Sequence, residues 1–292
     1  MEKTKVSLVL GSGGARGYAH IGVIEELQRY GCEIVSISGT SMGALIGGLY
    51  ACGKLAEYKA WVLTLEPLDV AGLLDLAWDR RGFMNGTKVF NRLEQMIGSQ
   101  KIEALPVRYT AVASDLNHGK EVWFQDGDLL SAIRASISIP SVFTPVEDGD
   151  RLLVDGGILN PLPVAPTMSD RSDLTIAVSL YGPEIQTPEA PPAVAERYDS
   201  LIERMFTQAK LALYEQAKKQ DTVHLFSILD RTFDTMQQSL TQYRLGGYPP
   251  DMVIEIPRNV CETFDFHRAQ DVIEAGRTAA AKALQREPVF QR

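Results

Sequence analysis

Ser41 stands in Gly39-Thr-Ser41-Met-Gly43, and this Gly-x-Ser-x-Gly spacing has a physical cause. A serine on a sharp strand-to-helix turn leaves no room for a Cβ two residues before or after it. The turn pushes the hydroxyl out of the sheet edge and aims the positive end of the following helix at it, where a developing oxyanion is stabilised. That is nucleophile chemistry. The same five residues also describe an ordinary glycine-rich turn, so the rest of the chain has to decide.

A second constellation is Gly11-Ser-Gly-Gly-Ala-Arg-Gly17. A dinucleotide loop needs a third glycine where Arg16 stands, and no acidic residue closes the next strand at Ile37 or Ser38. A P-loop needs Gly-Lys-Ser/Thr after its spacers, which is absent. The third reading, consecutive N–H groups at a helix N-terminus aimed at a developing negative charge, fits best. Such a loop belongs on the strand end beside the Ser41 turn. A methyl group at Gly14 is then expected to lower the rate while leaving melting unchanged.

The third is Asp155-Gly156-Gly157, after the apolar run Leu152-Leu-Val154. Flanking glycines let its carboxylate approach another backbone closely. The residues alone also fit an Asp-Gly hairpin turn. A carboxylate is a poor match to a serine hydroxyl, so this pair works only where the turn and the loop donors already favour the alkoxide. Other acids are weaker: Asp115, Asp126 and Asp128 read as turn residues, and Asp75, Asp79, Glu94 and Glu103 as solvated helix faces. His20 reads as a structural donor, His118 as a turn residue, His224 as a strand residue, and His267 lies near a helix start. None has metal-ligand spacing, and no cofactor is implied.

The elements that must position these groups follow from periodicity. Val6 to Leu10 is a strand, Tyr18 to about Tyr30 a helix, Ile34 to Ile37 a strand and Met42 to Tyr50 a helix, two strand–turn–helix units that imply a parallel αβ layer. Helices are expected at Leu55 to Leu65, Lys88 to Ile97, Leu129 to Ala135, near Val194 to Lys219 and at Phe266 to Leu284. Strands are expected at Val107 to Ala113, Val122 to Phe124, Leu152 to Val154, Leu174 to Leu180, Thr222 to Ile228 and Met252 to Ile256. The run Leu68 to Trp78 packs on the core or forms a lipid-facing lid. Gly182 to Pro192 is the one plausible linker.

With 292 residues, 45% hydrophobic and 23% charged, the chain buries a sizeable core. A net charge of −8 argues against a nucleic-acid partner and gives no long-range attraction to anionic lipid. The three cysteines have no CxxC spacing and read as free thiols, and with no apolar run of about 18 residues the expected location is cytoplasmic, with at most peripheral membrane contact.

Taken together, the glycine loop, Gly39-Thr-Ser-Met-Gly43, Asp155-Gly-Gly157 and the intervening Ser136-x-Ser138-x-Pro140-x-x-Phe143-x-Pro145 resemble the patatin-like phospholipase family, closest to bacterial relatives of neuropathy target esterase. The resemblance covers about Lys5 to Ala280. It implies a three-layer αβα fold with a mostly parallel central sheet, a single catalytic domain with a core of about 5–182 and an extension of about 190–285 packed on it. It implies a Ser–Asp dyad with Ser41 as nucleophile and Asp155 as base, and oxyanion donors drawn from Gly13, Gly14, Ala15 and Arg16. Gly11, Gly17, Gly39, Gly43, Gly156 and Gly157 frame these groups, and the Arg16 side chain is expected to act mainly as structure. The family's usual third glycine is Ser12 here, which leaves the peptide orientation at Gly13 open. The expected reaction is hydrolysis of an acyl lipid ester, with transient contact to a membrane surface and no calcium. Acyl transfer to an alcohol, or lipid or protein binding without catalysis, are the competing expectations.

Overall fold

The structure is a computed structural model that describes residues 3–73, 87–140, 142–185 and 221–290. The helix expected near 194–219, residues 74–78 of the apolar run, and Asp75 and Asp79 lie outside the described residues. The chain divides into two compact units, Met1–Glu184 with Gln237–Arg292, and Ile185–Met236, and the boundary at Glu184 falls in the proline-rich stretch read as a linker.

The first unit is built on an eight-stranded sheet. Strands β1 (Lys5–Leu10), β2 (Glu33–Thr40), β3 (Arg108–Asp115), β7 (Leu174–Gly182) and β8 (Met252–Pro257) run parallel in the order β3-β2-β1-β7-β8. The antiparallel strands β4 (Lys120–Phe124), β5 (Val146–Asp148) and β6 (Arg151–Asp155) complete it. Helices α1 (Ala19–Arg29), α2 (Met42–Ala51), α3 (Leu55–Val62), α5 (Thr87–Ile97) and α6 (Leu129–Ser136) follow the expected periodicities; a short α4 (Pro67–Leu73) comes from the start of the apolar run.

Strand alternation sends successive residues of β1 into separate core clusters. Val6, Leu8 and Leu10 of β1 join the large cluster with α1, α2, α6 and the last helix, α8 (Ala269–Leu284), whereas Val9 points the other way and packs with Ala177, Leu162, Val164 and Leu245. Helices therefore cover both faces of the sheet, which makes the fold a three-layer α/β arrangement.

One expectation is overturned. Thr222 to Ile228 is no strand: it opens α7, a helix spanning Asp221–Gly247. The β-branched residues there suggested extension, yet no glycine or proline interrupts the chain until Gly246-Gly247, followed by Pro249-Pro250 as a stop. A stretch that long without a breaker sustains a helix, and propensity over seven residues does not override it.

The pairing of β3 decides where the chemistry sits. Ala111 to Asp115 pair along one edge with Phe124 to Lys120 of β4. On the opposite edge β2 pairs up to Thr40 opposite Val112, and the next position, Ala113, pairs with Asp155 of β6. Two strands of opposite direction thus meet end to end along one edge of β3.

Candidate active site

Ser41 occupies the turn where β2 leaves that edge. Its backbone angles are φ 57° and ψ −125°, and it is the one non-glycine residue with positive φ among the described residues. Such a conformation costs on the order of 1–3 kcal/mol and persists only where the surroundings impose it. They do: a Cβ at Gly43 would lie 2.1 Å from the Leu10 carbonyl oxygen, and one at Gly39 would lie 2.5 Å from the Gly43 carbonyl. The Ser41 N–H donates to Ser136 Oγ at 2.9 Å, and that hydroxyl donates to the Val112 carbonyl at 2.6 Å. Ser136 thus ties the strained turn to β3, a role that its place in the sequence pattern did not reveal.

Asp155 ends β6 against the same stretch. Its N–H donates to the Ser138 carbonyl at 2.9 Å and its Oδ1 accepts the Gly157 N–H at 2.7 Å. Gly156 lies so close to Val112 that a Cβ there would sit 2.1 Å from the Val112 carbonyl oxygen. Burial pushes the carboxyl up to about 6 from its ordinary 3.8, and the Ser41 hydroxyl and the Gly157 N–H each draw it partly back. The Ser41 hydroxyl lies near enough to draw the carboxyl down, while Oδ2 has no hydrogen-bond partner among the described residues. Contacts of this kind commonly tighten only when substrate is bound.

In the glycine loop several backbone groups are committed. The Gly11 N–H donates to Val178, the Ser12 N–H to Pro161 and the Ala15 N–H to Thr263, while the Gly11 carbonyl accepts His20 Nε2 at 2.8 Å. Ala15, expected among the oxyanion donors, is therefore spent on Thr263. Buried Arg16 donates through Nε to the Gly13 carbonyl at 3.2 Å and lies over the Tyr181 ring. In a trans peptide N–H and C=O point in opposite directions, so pinning the Gly13 carbonyl on Arg16 turns the Gly14 N–H away from Arg16 and fixes the orientation that Ser12 had left open. The N–H groups of Gly13 and Gly14 have no acceptor among the described residues. Gly14 itself has φ +57°, and a Cβ there would lie 2.5 Å from the Thr263 carbonyl oxygen, so a methyl at this position strains the fold as well as the site.

Gly14 and Ser41 open onto an apolar cavity of about 80 Å³, walled by Tyr58, Trp61, Leu65 and Phe143. Val70 and Leu73 of α4 also line it, while Leu68 on the same helix is 69% exposed. Val70 and Leu73 of the apolar run therefore face the cavity, and Leu68 faces outward.

No described histidine side chain bonds Ser41 or Asp155. His20 is buried and drawn down to about 4 by desolvation, hence neutral; its ring holds the Gly11 carbonyl. His118 pairs with Asp115 in the β3–β4 turn. His224 lies on α7, not on a strand. Among the described residues no group of three or more His, Cys, Asp or Glu could hold a metal, and no helix is long and apolar enough to cross a membrane.

Comparison with known proteins identifies the family. A sequence model described as patatin-like phospholipase matches residues 8–168, a span holding the glycine loop, Ser41 and Asp155. The chain belongs to the patatin-like phospholipase family. An uncharacterized NTE family protein of Mycobacterium tuberculosis is 40% identical, the match covering 96% of this chain and 91% of that protein. The lysophospholipase NTE1 of Yarrowia lipolytica is 30% identical over 63% of this chain, which corresponds to 13% of that protein. The solved structure of VipD from Legionella pneumophila is 14% identical with a TM-score of 0.45, covering 97% of this chain and 67% of that one. Membership of the patatin-like family places the chain among lipid acyl hydrolases.

Proposed function

We propose that this patatin-like protein is a serine esterase that hydrolyses fatty-acyl esters of the phospholipid or lysophospholipid class through a Ser41–Asp155 dyad. The observation that carries the reading is the end-to-end meeting of β2 and β6 on β3, which sets a strained serine beside a buried carboxyl with a vacant oxygen, at the mouth of an apolar cavity.

Ser41 Oγ attacks the acyl carbonyl carbon while its proton passes to Asp155 Oδ2. The carbonyl oxygen becomes an oxyanion facing the N–H groups of Gly13 and Gly14 and the positive end of α2. Collapse breaks the ester bond, and the leaving alkoxide takes the proton from Asp155. Water then repeats the sequence on the acyl-enzyme: Asp155 accepts its proton and returns it to Ser41 as the fatty acid departs. A carboxyl at about 6 suits this better than an ordinary one at 3.8, because it is a stronger base yet is ionised at neutral pH. The cavity, smaller than the ~300–1,000 Å³ usual for ligand sites, has to widen to admit a chain. Its wall includes α3 and α4, so exposed Leu63 and Leu68 are the residues placed to touch a lipid surface as it does.

The test is covalent. Intact-protein mass after incubation with a lipid panel, or with an organophosphonate ester, should show one adduct, at Ser41, absent in Ser41→Ala. Wild-type hydrolysis of short p-nitrophenyl esters by Ser41→Ala would overturn the reading.

A further inference from the structure

Arg134 is a half-buried cation with no counter-ion among the described residues. From α6 it donates through Nη1 to Ser138 Oγ at 2.7 Å and through Nη2 to the Thr144 carbonyl at 3.0 Å, and its guanidinium lies 4.2 Å from the centre of the Phe90 ring. All three partners are neutral. Burial lowers its pKa from the ordinary arginine value, and no anion offsets that effect. The nearest acid on its own helix, Asp128, is engaged as the N-cap, accepting both the N–H and the hydroxyl of Ser131. A guanidinium carries five N–H donors in a planar fork, of which two are used here.

The side chain lines an open cleft of about 360 Å³ with Thr87, Asn91, Ser131 and Thr144 over Phe90, and among the described residues no carboxylate lines it. This cleft adjoins the Ser41 cavity. Phe90 meets Phe143 edge to face at 5.8 Å, and Phe143 belongs to the cavity wall; on α5, Val89 faces the cavity while Thr87, Phe90 and Asn91 face the cleft. An apolar hollow and a polar cationic one thus stand on either side of a single pair of rings.

We propose that this cleft receives the phosphoryl group of a phospholipid or lysophospholipid whose acyl chain occupies the Ser41 cavity, with Arg134 as its anchor. The proposal rests on the acyl-ester reading above and adds a headgroup requirement to it. Arginine suits the task because its fork meets phosphate oxygens in pairs, where a lysine offers one point charge. A ligand phosphate would supply the missing counter-ion. A neutral acyl ester leaves the cation unpaired and gains nothing from it.

The experiment compares two lipids with the same octanoyl chain, lysophosphatidic acid and monoacylglycerol, titrated calorimetrically below micelle formation into Ser41→Ala protein, which removes turnover from the measurement. With Arg134 present the phosphate lipid should bind tighter. Arg134→Gln should lower the ratio of the two affinities at least tenfold, the size of a charge-assisted hydrogen bond, and Arg134→Lys should lower it less, with melting temperatures measured for every protein. Taking the ratio cancels any disturbance of Ser138 or Phe90, since that affects both lipids. An unchanged ratio in Arg134→Gln would overturn the proposal and leave Arg134 a prop for the rings. Inorganic phosphate binding as tightly as the lipid would also overturn it, by assigning the cleft to the free anion. Failure of both lipids to bind would instead strike the acyl-ester reading, and the proposal with it.

Discussion

Asp155→Asn should destroy activity and stabilise the protein, and the two effects have one cause. The carboxyl sits near 6 when folded and near 3.8 when solvated, and at ~1.36 kcal/mol per decade that displacement is about 3 kcal/mol. The sign follows from proton counting. Between 3.8 and about 6 the folded protein holds a proton that the unfolded chain has released, so stability falls as pH rises through this window. By pH 7.5 the group is ionised in both states and the loss is complete. An asparagine keeps the acceptor for the Gly157 N–H and carries no charge, so it escapes the loss. Urea unfolding of both proteins at pH 4 and pH 7.5 gives the measurement: the stability difference, variant minus wild type, should grow by roughly 2–3 kcal/mol between the two pH values. Carboxylates common to both proteins cancel in the subtraction. The same group predicts that wild-type kcat/KM rises through pH about 6 and falls by about 10³-fold or more in Asp155→Asn. A stability difference that does not change with pH would mean that Asp155 is solvated, and the argument for it as a tuned base would fall.

Ser136→Ala should strand the buried Ser41 N–H and the Val112 carbonyl, costing about 1–3 kcal/mol for each group; thermal melting checks this, and an unshifted Tm would show that the turn holds itself. Gly14→Ala should lower kcat about 10²-fold or more and should also lower Tm, because its methyl meets the Thr263 carbonyl; activity loss with unchanged melting would contradict the packing. Leu68→Asp should weaken association with neutral vesicles in a sedimentation assay without changing hydrolysis of a soluble ester, and equal vesicle binding by the two proteins would remove α4 as the lipid-facing element.

Much of this was legible in the sequence because it is local. The glycines around Ser41 declare a turn that admits no Cβ nearby, and Leu8, Leu10 and Ile37 sit on strands whose hydrophobic runs are short and bounded by glycine. The position of Asp155 was legible only as a type of residue in a type of turn, since nothing in its neighbours states that β6 pairs with Ala113. The partner of the Ala15 N–H was hidden for the same reason: Thr263 lies far along the chain. Ser136 was legible only as a member of a pattern, because its bonds to the Ser41 N–H and the Val112 carbonyl are long-range, and Arg134 reads as an ordinary helix residue until Phe90 is brought against it. The helix at Asp221–Gly247 was missed because seven residues were weighed by propensity without the uninterrupted stretch that follows them.

The two strands that share one edge of β3 also determine which changes the protein can absorb. The separation of Ser41 and Asp155 is counted in ladder positions on β3, so the segment joining Ala51 to Arg108 can lengthen or shorten without altering it, whereas the segment joining β4 to β5 carries Ser136 and Ser138, which hold the Ser41 and Asp155 N–H groups. Sliding β6 by a single position has the opposite effect: it carries Asp155 about 3.3 Å along the edge and turns its side chain to the other face of the sheet. The tight turn from Asp148 to Arg151 and the β5 pairing behind it guard against that slip. An insertion in this hairpin that shifted β6 would turn buried Leu153 and Val154 as well as Asp155 to opposite faces, and Ser41 and Asp155 would both be present but no longer neighbours.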